Sequence, residues 1–222
     1  MSRALLLVGS PKPRKSASRA IGDALISRLA ARGWETLAER IPTRFDADLT
    51  SLFDLIADAE LVVLSFPVYV DTLPAPVTRF LQEWSESGPR REGQRLVVLV
   101  QCGFPESAHC ASSIEVCRNF ARATALEWAG SIALGMGGSL GSSIERSPFA
   151  RSLPALDAAA DALTAGVPIP EATAESFARP GIPKWLYTTI GSASWYLAAR
   201  KQRADAPLRH RRYVQSAPKA TR

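Results

Sequence analysis

The sequence predicts an α/β fold, a three-layer αβα sandwich with a five-stranded parallel sheet between two helical layers. Three observations carry that expectation. Continuous apolar runs at 4–8, 61–66 and 96–101 have the character of strands buried on both faces. Segments of helical periodicity alternate with the runs, the βαβαβ rhythm of a parallel sheet. The length, 222 residues, suits one such domain with some extra chain.

In chain order, the run at 4–8 stops at Gly9-Ser10-Pro11. A helix is expected over 18–31, with Ile21, Leu25 and Leu29 four apart and Gly33 at the usual stop position. A weaker strand over 35–41 belongs near an edge, and a helix over 49–59 follows. The run at 61–66 is halted by Pro67, and a helix over 76–86 starts with a tolerated proline. After the third run a helix over 109–128 aligns Cys110, Ile114, Cys117, Ala121 and Trp128 on one stripe. A fifth strand over 131–136, a glycine-rich segment at 135–141 and a helix over 153–165 complete a domain spanning 1–165. Residues 166–183 are proline-rich and read as a linker. An amphipathic helix over 184–201 carries Trp185, Leu186, Tyr187, Ile190, Trp195, Tyr196 and Leu197, and 202–222 form a basic tail. That helix wants burial on this domain, on a second subunit or at a membrane interface, the first two being favoured.

The net charge of +6 resembles that of a nucleic-acid binder, but its distribution argues against one. Of the 27 Lys/Arg and 21 Asp/Glu, eight and one lie in 200–222, which leaves a balanced body of 19 and 20. A basic tail of this kind suits an anionic surface or an acidic partner, and a solvated tail is the plainer reading. Three cysteines without C-x-x-C spacing point to a reducing compartment rather than a disulfide framework. No secretory signal or membrane-spanning stretch is evident, so a cytoplasmic protein is expected. No metal site is expected either, since no ligand pair has the short spacing of zinc loops.

Ligands of open parallel sheets bind beyond the carboxyl ends of the strands. The first such loop, 9-GSPKPRKSASR-19, leads into a helix start with unpaired amides and partial positive charge. Ser10, Ser16 and Ser18 add hydroxyls, and Lys12, Arg14 and Lys15 add cations, so this turn is suited to a phosphate. It is a poor nucleotide P-loop. Arg14 replaces the second glycine, and Pro11 and Pro13 remove two amide donors. G-x-G-x-x-G is also absent. The second loop, 67-PVYVDTLPAP-76, offers Val68 and Val70 as apolar walls and Tyr69 as a stacking face, stiffened by prolines. In the third, 101-QCGFPES-107, Gly103 permits close approach and Phe104 and Pro105 can wall a ligand. A phosphate grip beside two aromatic loops matches flavin mononucleotide (FMN).

The series GSPKPRKSAS, SFPVYVDTLPAPVTRFL and QCGFPES, with EWAGSIALGMGGSLG at 127–141, resembles the flavodoxin-like family of NAD(P)H-dependent FMN and quinone reductases over roughly residues 3 to 200. The resemblance implies a sheet order of 2-1-3-4-5 and bound FMN. It places the phosphate on Ser10, Ser16 and Ser18 with the intervening backbone, including Ala17, and with help from Arg14. It sets the isoalloxazine against Pro67, Val68, Tyr69 and Val70, with Cys102, Gly103 and Phe104 across from them. Gly137 and Gly138 would come near the ring edge or a partner subunit. Many relatives carry Asn-Thr where this chain has Ser16-Ala17-Ser18, which keeps the hydroxyl chemistry but bears on phosphate affinity.

The implied function is an oxidoreductase passing electrons from NAD(P)H through the flavin to a quinone, another flavin or a similar small acceptor, in a homodimer with shared active sites. The flavin supplies the redox chemistry, so no catalytic side chain is named. An electron-carrier flavodoxin or a redox-sensing FMN protein is the alternative. Residues 137–141 match G-x-S-x-G, but a hydrolase would need a helix directly after the serine and a later acid and histidine.

Overall fold

The structure is a computed structural model, and it describes residues 2–12, 16–141, 143–179 and 182–202. Two compact units are present, Met1–Gly181 and Ile182–Arg222. In the first, strands β1 (Arg3–Val8), β2 (Glu35–Arg40), β3 (Leu61–Pro67), β4 (Arg95–Gln101) and β5 (Glu127–Leu134) form one sheet in the order β2-β1-β3-β4-β5. All four pairings are parallel. The expected architecture and strand order therefore hold. β3 is buried along its whole length, whereas β2, at an edge, alternates between exposed and half-buried positions.

The helices are α1 (Ala17–Ala30), α2 (Thr50–Asp58), α3 (Ala75–Ser87), α4 (Ala111–Ala123), α5 (Leu153–Thr164) and α6 (Glu171–Ala178). Alternation along the strands divides the core between two layers. Leu5, Leu7, Val62, Leu64, Val98 and Val100 pack with Ile56, Phe80, Trp84, Cys117 and Phe120 of α2, α3 and α4. Phe53, Phe80, Trp84 and Phe120 form a chain of tilted aromatic contacts, with centroids 6.3, 5.5 and 5.2 Å apart. On the other face α1 lies so close to β1 that a Cβ on Gly22 would sit 2.6 Å from Leu6 Cδ1. Ion pairs Arg28–Asp157 (2.8 Å) and Arg32–Asp161 (2.6 Å) tie α1 and the turn that follows it to α5.

Several expected boundaries are corrected. The helix expected over 109–128 is shorter. A 3-10 turn at Ser107–Cys110 precedes α4, which ends at Ala123. The Thr124 hydroxyl then donates to the Phe120 carbonyl at 2.8 Å, and Ala125 reverses the chain with φ 57°. Trp128 thus belongs to β5, and β5 starts earlier than the expected 131. The left-handed position is an alanine rather than a glycine, so composition gives no sign of the stop.

Of the linker expected over 166–183, residues 166–179 instead fold as part of the first unit. Pro170 caps α6, Phe177 is fully buried, and the Ile169 amide donates to the Ala129 carbonyl at 2.9 Å. The prolines at 168 and 170 precede a helix, where their missing amide and fixed φ cost nothing.

The second unit contains helix α7 (Lys184–Lys201), at the expected bounds. None of its residues is buried. The large apolar side chains do not share a single face: at 100° per residue, Trp195 projects about 140° away from Ile190. The expected helix is present, but the expected amphipathic character is not. The basic tail expected over 202–222 lies outside the described residues apart from Gln202. Among the described residues no helix is long and apolar enough to cross a membrane.

Candidate functional site

At the carboxyl ends of β1, β3 and β4 the chain encloses a cleft of about 500 Å³, within the range of small-molecule sites. One end is built by the β1–α1 turn. The Gly9 amide donates to the Ser65 carbonyl at 2.8 Å. A Cβ there would stand 2.3 Å from Val77 Cγ2 and 3.0 Å from Phe66 Cβ, so this turn requires glycine. The buried Ser65 hydroxyl donates to the Ser18 carbonyl at 2.8 Å, which fixes the start of α1 against β3. Ser16 is the N-cap, its hydroxyl accepting from the Arg19 amide at 3.1 Å. No acidic side chain occupies the first turn of α1, so its positive end stays available to an anion. Ser10, Lys12, Ser16 and Ala17 line this end of the cleft.

Arg40 braces the same turn. The parallel register places it beside Val8, and its Nη1 donates to the Ser10 carbonyl at 3.2 Å. Its Nη2 is buried without a partner among the described residues. No local motif marks Arg40, because its role comes from the pairing of β1 with β2.

The opposite end consists of Pro67, Val68, Tyr69, Gln101, Gly103, Gly137, Gly138 and Gly141. The Val68 amide donates to the Gln101 carbonyl at 2.8 Å, so the ladder continues one residue past β3. Tyr69 and Thr72 then exchange backbone bonds of 2.9 and 3.2 Å around a tight turn. At its tip Val70 and Asp71 have φ of 51° and 59°, a conformation that costs side-chain-bearing residues and is most unusual for a β-branched one. The Ser112 hydroxyl donates to the Asp71 carbonyl at 2.5 Å and holds the turn against α4.

Gly137 closes this end. Its amide donates to the Cys102 carbonyl at 2.8 Å, and a Cβ on it would fall 1.7 Å from Gln101 Oε1. Gly103, by contrast, has open space where a Cβ would stand, which leaves room for a ligand against its backbone.

Of the sequence-predicted residues, Ser10, Ser16, Ala17, Pro67, Val68, Tyr69 and Gly103 therefore come together in one cleft. Four others do not line it. Ser18 is fully buried, its hydroxyl without a partner among the described residues. Cys102 is 2% exposed and sits beneath the wall, its thiol directed to the Glu106 carbonyl at 3.3 Å. Val70, at the turn tip, is 97% exposed. Phe104 turns outward and stacks on His109, with centroids 4.4 Å apart. Arg14 lies outside the described residues. Lys12 of the expected phosphate turn and Gly137 and Gly138, expected near the ring edge or a partner subunit, line the cleft too; the additions are Gln101 and Gly141.

The thiol pair below the wall is polarised. A hydrogen bond from Cys110 holds the Cys102 thiol below its ordinary value, and the same bond, with burial, pushes Cys110 up. Burial alone pushes Cys117 up to about 12. The G-x-S-x-G serine is no nucleophile elbow: Ser139 ends a single 3-10 turn and donates to the Met136 carbonyl at 2.8 Å. Among the described residues no cluster of three or more His, Cys, Asp or Glu could hold a metal.

No protein-family model and no curated protein sequence matches the chain. Solved structures do. An NADH:FMN oxidoreductase in its apo form superposes with a TM-score of 0.60 at 16% identity, over 82% of this chain and 97% of that one. A flavodoxin from Streptococcus pneumonia TIGR4 gives 0.55 at 15% identity, over 75% and 100%. The NAD(P)H:quinone oxidoreductase of Methanothermobacter marburgensis gives 0.52 at 14%, over 73% and 96%. With the strand order and the cleft at the sheet's carboxyl end, these likenesses establish the architecture: the chain has the flavodoxin-like fold.

Proposed function

We propose that the protein binds FMN in this cleft and works as an oxidoreductase that takes electrons from NAD(P)H and delivers them to a quinone, flavin or similar small acceptor. The observation that carries the reading is the polarity of the cleft. A capped helix start, two serines and Lys12 stand at one end, and an uncharged slot of Pro67, Val68 and Tyr69 against Gly103 and Gly137 stands at the other. That donor set fits a flat ring bearing a phosphate. Ser10, Lys12, Ser16 and the Ala17 amide would hold the phosphate, and Tyr69 and the Gly103 backbone would flank the ring. When bound, FMN supplies hydride acceptance and donation.

The chain's own residues orient the ring and keep water from its enclosed face. The fold is shared with proteins whose names describe NADH:FMN and NAD(P)H:quinone oxidoreductases, which supports the choice of reaction. A dimer with shared sites belongs to the same proposal. Steady-state oxidation of NADH or NADPH with a soluble quinone by the FMN-loaded protein tests it. Turnover is expected. Flavin binding without turnover would overturn the enzymatic part and leave an electron carrier.

A further inference from the structure

We propose that the open edge of β5 takes up an extended, basic peptide segment of a partner protein as an added strand. The inference is independent of the flavin reading. β5 pairs only with β4, so its other side is an edge of the sheet. In a parallel ladder alternate residues turn both backbone groups to the same side. The Leu134 carbonyl accepts from the Cys102 amide, on the β4 side, at 2.9 Å. The alternation from Leu134 therefore directs the amides and carbonyls of Ser131 and Ala133 to the open side. The chain makes one bond of its own there, from the Ile169 amide to the Ala129 carbonyl at 2.9 Å. Among the described residues none reaches Ser131 or Ala133 in that way, and both residues are half-buried rather than sealed. The two edges of the sheet also differ in their protection. β2 carries Glu35, Glu39 and Arg40, charges of the kind that keep an edge from pairing. After Glu127, β5 has neither a charge nor a proline.

A groove of about 520 Å³ runs along this edge, lined by Ser131 and Ala133, by Arg118 of α4 and by Glu171, Ala174 and Glu175 of α6. Backbone rungs within a groove suit strand addition, in which main-chain bonds supply affinity and the walls supply selectivity. Charge selects the peptide. Arg118 stands 5.3 Å over the Trp128 ring and is paired with Glu115 at 3.0 Å. Glu171 and Glu175, one helical turn apart on the other wall, have no cationic partner among the described residues, so the groove presents unbalanced negative charge. A second copy of this chain is a poorer occupant, because its β5 lies beside the same groove and would bring the same two carboxylates. A small ligand would leave the backbone rungs without use.

The test is fluorescence anisotropy of a labelled short peptide of alternating lysine and valine with the full-length protein, joined to amide hydrogen exchange on the same mixture. Binding is expected, weakened by salt, and the Ser131 and Ala133 amides should exchange more slowly in the complex. The double variant E171Q/E175Q should lower affinity by about tenfold at low salt. Ala133→Pro removes an outward amide at an edge position, where proline is tolerated, and should lower affinity by about tenfold or more. Its far-UV circular dichroism should match that of the parent; the exchange data and E171Q/E175Q decide the matter without it. Absence of binding would overturn the proposal, as would binding that leaves both amides unprotected or that survives E171Q/E175Q. Equal binding of a glutamate–valine peptide would overturn the assignment to a basic partner. Protection of the two amides that grows with protein concentration, without peptide, would assign the edge to a second copy instead.

Discussion

At one end of the cleft Ser10, Lys12 and Ser16 present hydroxyls, a cation and a helix start; at the other, Pro67, Val68 and Tyr69 face Gly103 and Gly137 with no charged side chain among them. The backbones differ as sharply as the side chains. The polar end is braced by ordinary geometry: a capped helix, the Ser65 bonds to Gly9 and Ser18, and the Arg40 contact with the Ser10 carbonyl. The apolar end is held in left-handed conformations at Val70, Asp71 and Met136. The difference assigns the two ends different work. On the proposed reading, the first would grip charge with preorganised donors, and the second would hold a flat ring in a slot shaped from backbone, with strain in its rim.

The largest expected effect comes from reversing the charge of the polar end alone. Asp caps a helix as well as Ser does, so Ser16→Asp should leave thermal stability nearly unchanged. It should weaken FMN binding by about a hundredfold or more, because a carboxylate faces the phosphate. Riboflavin, which lacks the phosphate, should bind the variant and the parent alike, as fluorescence titration can show. A similar loss for both ligands would mean that the two ends are not separate.

A smaller effect is expected at the other rim. Val70→Gly removes the penalty of φ 51° on a β-branched residue and should raise unfolding stability by about 1 kcal/mol. Chemical denaturation measures it. Destabilisation would mean that the turn is not strained.

The smallest effect should touch neither end. Burial pushes the Cys117 thiol up to about 12, above its unfolded value, so the unfolded chain loses this proton first. The stabilisation is fully present below the ordinary thiol range and is lost as pH rises from there toward about 12. In Cys117→Ala, part of the alkaline fall in stability should disappear from a denaturation series taken across that range, with FMN affinity at neutral pH unaffected.

Much of this contrast is legible in the sequence. Apolar runs such as 61–66 announce strands because both faces are buried, and Ser10 and Ser16 announce a phosphate turn because they sit where a buried strand meets a helix. What depends on distant pairing is not legible. Arg40 reaches Ser10 only because β1 and β2 align in register. Ser18 and Cys102 share the right loops with their neighbours but point into the protein, a one-residue distinction that motif spacing does not resolve. The helix at α6 is hidden by prolines that serve it as a start rather than a stop.

The central claim is that one cleft joins an anion site to a flat apolar slot. Parallel titration of the purified protein with FMN and with riboflavin, followed through the visible flavin bands, tests it most directly. Saturation at a single equivalent of FMN per chain, with FMN bound markedly tighter than riboflavin, is the result the account predicts. A protein that leaves both spectra unchanged, or binds the two flavins equally, would contradict it.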